Sequence, residues 1–162
     1  MRLKNRLTRG AVAALLGGLA WLARREYLNA VTERVTSVLA GIVASAKGIQ
    51  SGGTLESLGR QWQRSFPSAK QVPIVAVTDN TVFAEIHTPC PLRGSGDVNA
   101  CYRMMNYDRA ILEGIGGQFV VLESQATPGK SFCRVAIRKQ GESLADLRPA
   151  HWVNSLAVEC VS

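Results

Sequence analysis

Residues 73–87 read PIVAVTDNTVFAEIH. Two runs rich in β-branched side chains, 73–79 and 81–87, flank Asp79-Asn80, a dipeptide that favours a turn. In the second run Val82, Ala84 and Ile86 share one face, and Phe83, Glu85 and His87 share the other, the period-two alternation of a strand. The stretch therefore predicts a β-hairpin with one apolar face. Beyond it, Thr88-Pro89-Cys90-Pro91 is extended or turning, because a residue before proline is pushed out of the helical region. The loop Arg93-Gly94-Ser95-Gly96-Asp97 leads into a predicted helix over 98–115, with Asp97 as N-cap and Gly114, Gly116 and Gly117 as its stop. Residues 118–124 and 131–138 predict a second hairpin. There Cys133, Val135 and Ile137 alternate with Phe132, Arg134, Ala136 and Arg138, which turns Cys133 inward.

Toward the N-terminus the period becomes helical. Leu28, Val31, Val35, Val38, Leu39, Ile42 and Val43 form an apolar stripe, predicting an amphipathic helix over 27–48. Ser51-Gly52-Gly53 breaks it, and Thr54 caps a further helix over 55–66 that carries Leu55, Leu58 and Trp62 on one face. The expected fold class is α+β: a small, mostly antiparallel sheet of two hairpins packed against helices, with an N-terminal helical segment. The expected organisation is a basic and apolar segment over 1–50, an α/β ligand-handling domain over 51–140 and a tail over 141–162. No internal repeat or low-complexity tract interrupts it.

At 162 residues, 46% hydrophobic and 19% charged, the chain has the composition of one globular domain. Its net charge of +7 is uneven, with Arg2, Lys4, Arg6, Arg9, Arg24 and Arg25 all near the start. That end favours an acidic surface such as anionic lipid, or an acidic patch on a membrane-protein partner. Nucleic acid is not expected as a partner, because no helix-turn-helix and no aromatic-basic sheet motif is present to read bases. Residues 10–23, GAVAALLGGLAWLA, are uncharged and follow the basic stretch, which is the order of a signal peptide. The cleavage pattern is poor, since Gly18-Leu19-Ala20 is followed by Trp21. As a helix the run would cover roughly two-thirds of a ~30 Å hydrocarbon core. A docking or peripheral helix on a cytoplasmic protein is the expectation, and a signal or anchor in an exported form is the alternative.

Four cysteines, at 90, 101, 133 and 160, show no CxxC or zinc-finger spacing. In an oxidising compartment they would make two disulfides, and in a reducing one they would be core thiols, ligands or nucleophiles. On the predicted helix over 98–115, Met104, Met105, Asp108, Ile111, Leu112 and Ile115 fall on the same side as Cys101. A carboxylate inside an apolar stripe needs a donor, a cation or a metal to meet it. Asp108 is thus either a structural partner of an arginine or amide, or a functional acid. Cys90 sits in a loop stiffened by two prolines, with His87 three positions upstream, so Cys90, Asp108 and His87 are the candidate catalytic residues. Cys101, Met104, Met105 and Cys133 are the candidate ligand-binding residues. Zinc is a candidate cofactor, with Cys90, Cys101 and Cys133 as thiolates and His87 or Asp108 as the fourth ligand. Met104 and Met105 also read as core filler, and GIGG at 114–117 as a helix stop in place of a nucleotide loop.

Cys90-Pro91, Cys101, Asp108 and Gly129-x-x-x-Cys133, followed by Arg134-Val135-Ala136-Ile137, resemble the L-2-amino-thiazoline-4-carboxylic acid hydrolase-like family. The closing piece, from Val121-Leu122-Glu123-Ser124 to Cys133-Arg134-Val135, also resembles the end of the bacteriochlorophyll 4-vinyl reductase domain, a small-molecule sensing module. Gln125 stands where that module often carries a cysteine. The resemblance implies an α/β domain that handles a small molecule and, in the hydrolase members, opens a cyclic C–N bond with water. It points to Cys90, Cys101, Asp108 and Cys133. A non-catalytic sensing domain, and an accessory subunit docked on a membrane complex through its N-terminus, are the alternative expectations.

Overall fold

The computed structural model describes residues 2–152; the expectations for Cys160 and for the end of the tail lie outside the described residues. Helix α1 (Arg2–Ala23) leads through a short 3-10 turn at Glu26–Leu28 into α2 (Asn29–Ala46), and α3 (Leu55–Gln63) follows. Strands β1 (Ile74–Val77) and β2 (Val82–Ile86) form the first hairpin. Helices α4 (Val98–Met104) and α5 (Asn106–Glu113) then precede the second hairpin, β3 (Gly117–Glu123) and β4 (Cys133–Lys139). The fold is α+β, with a four-stranded sheet in the order β1-β2-β4-β3. Every neighbouring pair is antiparallel. The hairpins join through β2 and β4, where Ile86 pairs with Cys133 and Ala84 with Val135.

Alternation along the strands puts Val82, Ala84, Ile86, Phe119, Val121, Cys133, Val135 and Ile137 on one face, buried with Leu58, Trp62, Ile111 and Leu112 in the principal core. Helix α3 comes close at Gly59, where a Cβ would stand 2.9 Å from Val82 Cγ1. The other sheet face carries a smaller cluster in which Leu147 covers Val120 and Ala136. Arg138, 3% exposed, fastens that cover. Its guanidinium donates to Thr81 Oγ1 at 2.7 Å and to both carboxylate oxygens of Asp146 at 2.6 Å. The first residues past 140 are thereby tied to the sheet. The helical segment expected over 1–50 is likewise joined to the rest: Ala20, Ala23, Ala40 and Ile49 belong to the same core as the strands.

Two expectations are corrected. The helix expected over 98–115 is two helices, broken at Met105, whose ψ of 3° departs from helical geometry. The apolar stripe of α2 is turned inward only in part, with Leu28, Val35, Leu39 and Val43 half-buried. Thr32, Thr36 and Ala40 are buried, whereas Val31, Val38 and Ile42 are 46%, 57% and 60% exposed. The threonine hydroxyls donate back to Leu28 O and Thr32 O, so their polar atoms are satisfied within the helix. Asn106 Nδ2 bonds Glu33 O, Thr36 Oγ1 and Ser37 Oγ across the contact between α2 and α5. Small, internally bonded side chains let these helices approach closely, and Val31, Val38 and Ile42 are left outside. As expected of the N-terminal segment, α1 is helical from Arg2.

Candidate functional site: a thiol cluster beside a buried carboxylate

Cys133 opens β4 with its side chain on the inner sheet face and is fully buried. Cys101, on α4, is 2% exposed and hydrogen-bonds Cys133. Ser124 also bonds the Cys101 sulfur. The backbone N–H of Gln125 donates to Cys133 Sγ at 3.3 Å. Bonding to Cys133 and burial push the Cys101 thiol up, and the bond from Cys101 pulls the Cys133 thiol down. Cys90 stands within electrostatic reach of both and is the one half-buried thiol among the described cysteines. Burial raises it, against a 3.4 Å bond from the Leu92 N–H and the nearby positive charge of Arg93.

Asp108, in the first turn of α5, is 5% exposed. Its hydrogen-bond partner is the Trp62 indole, whose Nε1 donates to Oδ1 at 2.9 Å. Trp62 is itself fully buried, with Phe66 edge-on at a centroid distance of 5.0 Å and Phe119 tilted at 5.8 Å. Burial pushes the Asp108 carboxyl up to about 6, opposed by the indole bond and the Arg109 charge. Its charge is felt at Cys133, which places the acid and the thiol pair in one neighbourhood.

The sequence-predicted residues thus separate. Cys90, Cys101, Cys133 and Asp108 gather on the inner side of the sheet. Met105 is buried and Met104 partly buried in the same core. His87 does not join them. It follows β2 on the outer-face register, exposed, with Nε2 2.9 Å from Glu85 Oε2 and its ring against Phe132 at 5.1 Å. Glu85 in turn faces Arg134 at 3.6 Å. Alternation along β2 explains the separation, since Ile86 takes the inner face and its neighbours take the outer one. Among the described residues, no three of His, Cys, Asp and Glu are arranged to hold a metal ion, so the zinc expectation finds no ligand set there.

Gln125 and Trp62 are the site residues that sequence reasoning missed. The Gln125 side chain, 1% exposed, donates to Ile86 O at 2.9 Å and Thr88 O at 3.1 Å. Its Oε1 accepts from Arg93 Nε at 2.9 Å and Nη2 at 2.6 Å. Its backbone carbonyl receives Gly94 N–H, while its N–H goes to Cys133. One residue therefore pins the Cys90 loop against the thiol pair. A glutamine between a strand and a turn carries no local sign of this role, and neither does a tryptophan within an ordinary apolar stripe.

No family model, curated protein or solved structure matches this chain.

Proposed function

We propose that the chain is a small-molecule-handling domain that engages its ligand at Cys90. The observation that carries this reading is the graded access of the thiol cluster: Cys90 is half-buried at its rim, and Cys101 and Cys133 are buried behind it. The loop bearing Cys90 is held by Gln125 and Arg93, the preorganised support that a binding loop requires. Two positions before Cys90, the buried Thr88 hydroxyl lacks a protein hydrogen-bond partner, which a polar ligand group would supply. Burial keeps the Cys90 thiol protonated at neutral pH, so it serves here as a contact and a weak donor.

A second reading, hydrolysis of a cyclic amidine-type C–N bond as in the aminothiazoline carboxylate hydrolases, is favoured by Asp108. A carboxyl held near pH 6 gains and loses a proton close to neutrality, as a general acid–base group must. The test takes 2-amino-thiazoline-4-carboxylate as probe, read by thermal shift for binding and by loss of the ring chromophore for turnover. Binding that Cys90→Ser or iodoacetamide removes supports the site. Turnover in addition, abolished by Asp108→Asn in a folded protein, supports the enzymatic form. A ligand response left unchanged by complete alkylation of Cys90 would overturn both.

A further inference from the structure

The last two turns of α1 border an open groove of about 660 Å³, lined by Gly17, Ala20, Trp21, Arg24, Arg25 and Pro91. Two arginines and an indole there share one wall. Arg25 lies over the Trp21 ring at 3.6 Å and donates from Nη1 to Trp21 O at 2.8 Å, which fixes its guanidinium beside the indole. Arg24 is exposed. The nearest acid in sequence, Glu26, has Arg103 as a counter-charge at 3.7 Å. The inner face of α1 is spent on the fold through Leu19, Ala20 and Ala23. Over residues 13–21 its outer face carries Ala13, Ala14, Leu15, Gly17, Gly18 and Trp21, all uncharged and exposed. Residues 2–25 contain six basic side chains and no acidic one.

We propose that α1 docks the protein on an anionic phospholipid bilayer, lying in the plane of the surface with a lipid phosphate seated between Arg24, Arg25 and Trp21. Three observations converge on that occupant. The charge of the segment is wholly of one sign and complements an anionic leaflet. Leu15 and Trp21, 49% and 55% exposed, give the outer face its apolar contacts, and an indole is suited to the headgroup level. No helix among the described residues is long and apolar enough to cross a membrane, and the packed inner face of α1 binds it to the domain, so a surface orientation is the geometry open to it. An acidic protein would meet the same charge, but it would have no use for a flat, uncharged helix face with a tryptophan at one end.

The test is co-sedimentation of the full chain with vesicles of phosphatidylcholine alone or with 30% phosphatidylglycerol, at low and at 0.5 M salt. The expected result is binding to the anionic vesicles only, lost at high salt, with a blue shift of tryptophan emission in a Trp152→Phe background, where Trp62 is fully buried and Trp21 is the exposed indole. Arg24→Gln combined with Arg25→Gln is expected to lower the partition coefficient by about fivefold per charge, and Trp21→Ala to weaken it further with the circular dichroism unchanged. Soluble glycerophosphate is expected not to compete at millimolar concentration. Equal binding to neutral vesicles, no binding to anionic ones, a folded double variant that binds as the parent does, or full displacement by glycerophosphate would each overturn the proposal.

Discussion

Asp108 gives the protein its sharpest pH dependence. Its carboxyl is held near 6 against about 3.8 for an unconstrained aspartate, so between those values the folded chain binds more protons than the unfolded one. Stability therefore falls as pH rises through that window, by about 3 kcal/mol if the whole shift is realised. Asp108→Asn keeps an acceptor for the Trp62 indole and removes the charge. Urea midpoints of this variant are expected to be flat from pH 4 to 7 and to exceed those of the parent at pH 7. A parent whose stability rises over the same interval would contradict the burial account. Gln125→Ala tests the other hidden residue. It leaves the Ile86 and Thr88 carbonyls and the Arg93 guanidinium without their shared partner, at a cost of about 2–3 kcal/mol. Iodoacetamide should then reach Cys90 faster than in the parent, as measured by intact mass against time.

At the scale of elements, the caps were legible in the sequence. Thr54 Oγ1 accepts from Ser57 N–H at 3.1 Å and Asp97 Oδ1 from Ala100 N–H at 2.8 Å. Replacing either by alanine is expected to cost about 1 kcal/mol in chemical denaturation. Both hairpins and the inward aim of Cys133 were legible too, because period-two alternation is a local signal. The inner face of α2 was not. Its packing is decided by threonines that satisfy themselves within the helix, and apolar periodicity assigns such residues to the outside. The break at Met105 was also hidden, since the flanking residues continue a helical pattern. Within the site, Cys101, Cys133 and Asp108 could be aligned from periodicity, whereas the Trp62–Asp108 bond joins residues 46 positions apart and leaves no local trace.

At the scale of the whole molecule, the segment that the sequence set apart belongs to the core. Leu19, Ala20 and Ala23 are buried, and Arg103 Nε donates to Ala23 O at 2.5 Å. Removing residues 1–25 is expected to destabilise the remainder by on the order of 3 kcal/mol from lost apolar burial, seen as a lower Tm. An unchanged Tm would mean that α1 is only an appendage. At the other end, Asp146 is held below the usual carboxylate range by the hydrogen bond from Arg138. Its contribution is present above the unfolded value near 4 and disappears as acid protonates it.

The arrangement around Gln125 has a consequence for how this protein can diverge. A single planar amide reads two carbonyls from one strand end and a guanidinium from the following loop, while its own main chain grips a sulfur. Substitutions in the 87–97 loop are therefore not independent of those in the second hairpin. Drift in either segment must preserve one keystone, or change it together with every stone that leans on it.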